Sequence, residues 1–143
     1  MGKFDGNVLV VESSDPNEPH LPLDGLRDLG FSVFEAHHST DAMEAIRQYR
    51  PIVIFLAARL DDGSTKGVEV QAASKAVRAA YSPSLIALDP EIEPTKAEWR
   101  LNRQHLNLAA KLYGLMKSVL MARGFRQVLV VEDPRAAEKI SER

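Results

Sequence analysis

Residues 52–57, IVIFLA, constrain the fold of this chain more than any other stretch. A strand with one face in water alternates apolar and polar residues, whereas a run with no polar interruption has both faces covered. That is the pattern of a central strand in a parallel sheet packed with helices on both sides. Pro51 stops whatever helix precedes it. The acidic loop RLDDGS follows, so the strand ends where such sheets place their clefts.

Four further segments fit the same sheet. NVLVVE (7–12) is an apolar, β-branched run, FSVFEA (31–36) alternates, SLIALD (84–89) is apolar again, and QVLVVE (127–132) repeats the first run. Between them lie helix signals. A short helix is expected over 22–29, limited by Pro19, Pro22 and Gly25 and ended by Gly30. STDAMEAIRQYR (39–50) puts Ala42, Ala45, Ile46 and Tyr49 on one helical face. A third helix is expected in VEVQAASKAVRAAY (68–81), and DPRAAEKISER closes the chain with a short helix. Strands alternating with helices imply an α/β fold with right-handed crossovers and a doubly wound parallel sheet.

The chain has 143 residues, which sets the expectation of a single domain over 1–143. VLVVE occurs at 8–12 and again at 128–132. About seventeen residues follow from 127, too few for a second domain, so the repeat is read as the fifth strand of the same sheet. The longest apolar stretch is far short of the roughly twenty residues a membrane-crossing helix needs. The start MGKFDGNVLVVE has no apolar signal region. Cysteine is absent, which removes disulfides and thiolate chemistry, and the expected compartment is the cytoplasm. A net charge of −2 gives no whole-chain attraction to nucleic acid. His20, His37, His38 and His105 are not spaced as a metal set, and neither a metal nor a cofactor is expected.

Taken together, NVLVVESSDP, LGFSVFEAHHSTDAMEAIRQYRPIVIFLAARLDDGS and SLIALD resemble the receiver domains of bacterial two-component response regulators. The resemblance covers residues 7 to about 90, with a weaker match at 124–143. It implies a flavodoxin-like, five-stranded parallel sheet of order 2-1-3-4-5. In that family an acidic pair after strand 1 holds magnesium and an aspartate ending strand 3 accepts a phosphoryl group. A hydroxyl after strand 4 and a lysine after strand 5 read the phosphate.

Residue by residue, the resemblance places the acidic pair on Glu12 and Ser13, the acceptor on Ala57, the hydroxyl on Asp89 and the lysine on Asp133, next to Pro134. A methyl group cannot form an acyl phosphate. The fold is therefore expected without the family's chemistry, which separates fold from function. The leading reading is a degenerate, phosphorylation-independent pseudo-receiver that is not an enzyme and works through protein contacts. Two alternatives stay open. Glu12, Asp89 and Asp133, if they converge, are candidate ligands for a divalent cation. A small-ligand module of flavodoxin-like shape is the other, although the loop after strand 1 has no glycine-rich cradle.

Residues 94–123 depart most from a receiver. They read as a long helical segment inserted between strands 4 and 5, with no proline after Pro94 and Gly114 as the one glycine. Leu101, Leu108, Leu112, Leu115 and Val119 form one stripe, and Leu106, Ala109, Tyr113, Met116 and Leu120 a second. Two stripes exceed what one sheet face requires. Either the segment breaks near Gly114, or its extra face meets another chain in a homodimer or a protein partner. Trp99, Leu101, Leu108 and Tyr113 are the candidate contact residues.

Overall fold

The computed structural model of the chain describes residues 6–77, 83–92 and 99–123. Five strands, β1 (Asn7–Val11), β2 (Ser32–Ala36), β3 (Val53–Leu56), β4 (Ser84–Ala87) and β5 (Trp99–Arg100), form one sheet of order β2-β1-β3-β4-β5. Every pairing is parallel. In register, Glu35, Val10, Phe55, Ile86 and Trp99 run across the sheet in one row. The apolar runs of the sequence occupy the middle: β3 and β4 are buried along their whole length, while the edge strand β2 exposes Ser32 and Glu35.

Alternation along the strands divides the core between two faces. Val8, Val10, Val53, Phe55 and Ile86 point to one side, where helices α1 (Leu23–Asp28) and α4 (Leu108–Ala122) cover them with Leu26, Leu112, Met116, Val119 and Leu120. Leu9, Val11, Ile54, Leu56 and Leu85 point to the other, under helices α2 (Ser39–Tyr49) and α3 (Lys66–Val77), which contribute Ala42, Ile46 and Val70. Gly30, at φ 104°, turns the chain from α1 into β2. Arg50 takes the left-handed conformation at φ 44° and ends α2 before Pro51.

The region after β4 departs from the sequence reading. The expected long helix between strands 4 and 5 is not formed: Trp99 and Arg100 are the fifth strand itself, paired with Ile86 and Ala87, and α4 comes after it. Helical propensity loses there to the open edge of β4. Pairing Trp99 and Arg100 satisfies backbone groups of a buried strand, and it carries Leu101 into the core at 7% exposure. A turn then separates strand from helix, with the Gln104 N–H donating to the Asn102 side chain at 2.9 Å. Helix α4 runs through Gly114 without a break. The proposed strand at 127–132 and the closing helix lie outside the described residues, as do 78–82 and 93–98.

Candidate functional site at the carboxyl ends of the strands

The loops after β1, β3, β4 and β5 converge at one end of the sheet, where open α/β folds place their clefts. Glu12 follows β1 and is buried at 4% exposure. Its Oε1 accepts the Leu21 N–H at 3.2 Å and its Oε2 accepts Arg103 Nη1 at 3.0 Å. Asp89 follows β4; its Oδ2 accepts the Ala58 N–H at 2.8 Å and its Oδ1 accepts Arg103 Nη2 at 3.0 Å. Arg103, in the turn after β5, therefore bridges both carboxylates, and its Nη1 also donates to the Pro19 carbonyl at 3.2 Å. Its side chain is 9% exposed. Burial lifts the Glu12 carboxyl above the usual glutamate range, opposed by the Leu21 N–H and by Arg103.

Ala57, at the tip of β3, is 1% exposed and belongs to the apolar cluster with Val8, Phe55 and Ile86. Its N–H donates to the Val11 carbonyl at 2.8 Å. Helix α3 closes over its backbone carbonyl. The Gly67 N–H donates to the Ala58 carbonyl at 2.9 Å, and a Cβ at residue 67 would stand 1.8 Å from the Ala57 carbonyl oxygen. This backbone approach is open only to glycine.

Ser13 is buried and joins a second, outer network. Asp61, in the loop after β3, accepts the Ser14 hydroxyl at 2.6 Å, the Ser14 N–H at 2.9 Å and the Ser13 hydroxyl at 3.1 Å. The Ser14 hydroxyl and N–H hold the Asp61 carboxyl below the usual aspartate range. Asp62 accepts the Ser39 hydroxyl at 2.6 Å and its N–H at 3.2 Å, so it caps α2, and these bonds lower its pKa as well. His37 Nδ1 donates to the Glu12 carbonyl at 2.7 Å, and His20 Nε2 to the Ser13 carbonyl at 2.8 Å. The loops that would surround a reactive centre are bonded to one another.

Of the five positions singled out in the sequence, Glu12, Ser13, Ala57 and Asp89 lie at this end of the sheet. Asp133 lies outside the described residues. Because the fifth strand is Trp99–Arg100, the position after it belongs to Arg103, which the sequence reading did not pick out. The available signal was the turn pattern of Asn102 and Gln104 around it. Arg103 lies between Glu12 and Asp89, where a shared cation would have to sit. Among the described residues no three acidic or histidine side chains group as metal ligands. Beside the cluster is a cavity of about 380 Å³ lined by Pro19, Asp89, Pro90, Arg100 and Arg103, with no glycine in its wall.

The candidate contact residues also receive places. Leu101 is in the core, and Trp99, Leu108 and Tyr113 are partly buried against it. No described helix is long and apolar enough to cross a membrane.

Comparison with known proteins gives no matching family model and no matching curated protein. Solved structures do match, and they show the fold of response-regulator receiver domains. A signal receiver domain of a putative Luxo repressor protein from Vibrio parahaemolyticus is 16% identical at a TM-score of 0.57, covering 90% of this chain and 100% of that one. A two-component response regulator from Clostridium difficile is 19% identical at a TM-score of 0.60, covering 83% and 98%. The pseudo-receiver domain of the CikA protein is 18% identical at a TM-score of 0.55, covering 81% and 98%.

Proposed function

We propose that this receiver-fold chain is a phosphorylation-independent signalling domain, a pseudo-receiver of the two-component type that acts in the cytoplasm through protein contacts rather than by catalysis. The observation that carries the reading is Ala57: a buried methyl, with Gly67 packed against its backbone carbonyl, at the strand tip where the receiver resemblance implies the phosphoryl acceptor. Around it, Asp89 accepts the Ala58 N–H and the Arg103 guanidinium. These donors are the kind that would bind a phosphoryl oxygen, and an internal carboxylate already uses them. The interaction state of the domain is then set by its sequence, with no transferred group to switch it.

The test is exposure of the chain to acetyl phosphate and magnesium, followed by intact-mass spectrometry. The expected result is no phosphoryl adduct. A stable, acid-resistant and hydroxylamine-sensitive adduct on an aspartate or glutamate at this end of the sheet would overturn the reading.

A further inference from the structure

Strand β2 is the long open edge of the sheet: it has five residues, whereas β5 at the opposite edge has two. The Ser32 N–H donates to the Gly6 carbonyl at 3.0 Å, and the Ala36 carbonyl accepts the Glu12 N–H at 3.1 Å. Along a parallel ladder, residues alternate between giving their backbone groups to the neighbouring strand and turning them away. Ser32, Phe34 and Ala36 therefore pair with β1, and Val33 and Glu35 turn their N–H and C=O groups outward. Those outward groups meet no hydrogen-bond partner among the described residues. Exposed edges are commonly blunted by proline or lysine, and β2 carries neither.

The edge fits its own two-fold image. Half-buried Phe34 stacks on Tyr49 with ring centroids 4.0 Å apart, and Tyr49 keeps 36% exposure. Val33 packs on the opposite face, against the cluster under α1. Glu35 has Arg27 Nη2 at 3.8 Å. With a second β2 laid antiparallel and Phe34 on the axis, Val33 lies opposite Glu35 of the second copy, and Glu35 opposite its Val33. The outward-facing residues then exchange both their N–H and C=O bonds. Phe34 meets Phe34 of the second copy as a non-hydrogen-bonded pair, with Cα atoms about 4.5 Å apart, and aromatic pairs so placed stabilise a ladder. The neighbouring registers fit worse. An axis at Glu35 opposes two carboxylates, and an axis at Val33 sets Glu35 against Phe31, whose N–H is already bonded to the Leu26 carbonyl.

We infer that the chain forms a two-fold dimer by pairing β2 antiparallel with β2 of a second copy, which joins the two sheets into one. The inference rests on the reading of the chain as a module that works through protein contacts, and it names the partner. A two-fold interface needs a patch that complements itself. Backbone phase, the aromatic centre and charge all meet that condition here: each Glu35 faces a valine and keeps Arg27 beside it, so no like charges are opposed. An unrelated extended peptide would use the same backbone groups but has no need of Phe34 on an axis.

The experiment is sedimentation of the 143-residue chain from about 10 μM to about 1 mM, the range that brackets a small interface. The mass is expected to rise from one chain to two across it. Glu35→Pro deletes an outward N–H and no bond to β1; it is expected to weaken association at least about tenfold, with the melting temperature of the dilute chain unchanged. The chain has no cysteine, so single cysteines report the register. Phe34→Cys is expected to form a covalent dimer on mild oxidation, since a Cα separation of about 4.5 Å suits a disulfide. Glu35→Cys, displaced along the strand from its own counterpart, is expected to stay uncrosslinked. The inference is overturned by a monomer at every concentration, by a dimer indifferent to Glu35→Pro, or by cross-linking at residue 35 and not at residue 34 in folded variants. Phosphoryl uptake in the acetyl phosphate assay by a chain that still dimerises would sink the wider reading and leave the edge pairing standing, so the two failures are distinct.

Discussion

Arg103 donates a 3.0 Å hydrogen bond to Glu12 across 91 residues of sequence, and this contact joins the turn after β5 to the tip of β1. The same guanidinium holds Asp89. On each carboxylate the other oxygen accepts a backbone N–H, from Leu21 and from Ala58, so the arginine ties together two acids that are each anchored to a separate loop.

Removing Arg103 leaves two poorly solvated carboxylates facing each other. Breaking a buried pair by deleting one partner costs about 3–5 kcal/mol. Arg103→Met is expected to lose about that much in urea unfolding. Arg103→Met combined with Glu12→Gln and Asp89→Asn is expected to regain most of it, because the uncompensated charges are gone. Equal losses in the single and triple variants would mean that the arginine acts by shape alone.

Placing an aspartate at the strand tip is not expected to confer phosphorylation. Ala57→Asp places a carboxylate beside the apolar cluster that α1 and α4 cover, at a cost of about 2–5 kcal/mol by the usual penalty for an unpaired buried polar group. Asp89 and Arg103 remain paired beside it. After acetyl phosphate and magnesium, intact-mass measurement should show no phosphoryl adduct on the folded variant. Rapid labelling of the introduced carboxylate would show that the acceptor alone had been missing.

Two glycines should respond in opposite directions to alanine. Gly67→Ala drives a methyl to 1.8 Å from the Ala57 carbonyl and forces α3 away from β3, an overpacking cost of about 3 kcal/mol or more. Gly114→Ala meets open space on an exposed helical face and gains about 0.5–1 kcal/mol of helix propensity. Thermal melts of the two variants check both signs.

The acidic groups predict the shape of the pH dependence. Glu12 has a native pKa above its ordinary 4.5, so between these values the folded chain holds a proton that the unfolded chain has released. Stability therefore rises as pH is lowered from neutral towards 4.5. Asp61 and Asp62 have native values below their ordinary 3.8; their contribution is present above 3.8 and is lost as pH falls through the native values. Urea midpoints should pass through a maximum in mild acid. Glu12→Gln should flatten the side towards neutral pH, and Asp61→Asn the acid side.

Much of this architecture was legible in local pattern. The unbroken run IVIFLA is β3, NVLVV is β1, and the helix over 39–49 buries Ala42 and Ile46 as its spacing required. The segment after β4 was misread because Trp99 and Arg100 carry no two-residue periodicity long enough to register as a strand. Their conformation comes from the open edge of β4. Arg103 was missed for a related reason: with the fifth strand expected at 127–132, the position after it fell elsewhere.

By itself the amino-acid sequence determined the α/β class and the buried central strands, since each depends on residue type and on spacing within a few turns of chain. Tertiary structure alone decided which segment became the fifth strand, that Gly67 packs on the Ala57 carbonyl, and that Arg103 closes the Glu12–Asp89 gap. Edge pairing, backbone approach and a buried ion pair are contacts between distant parts of the chain, and their free energy exists only once the sheet has brought those parts together.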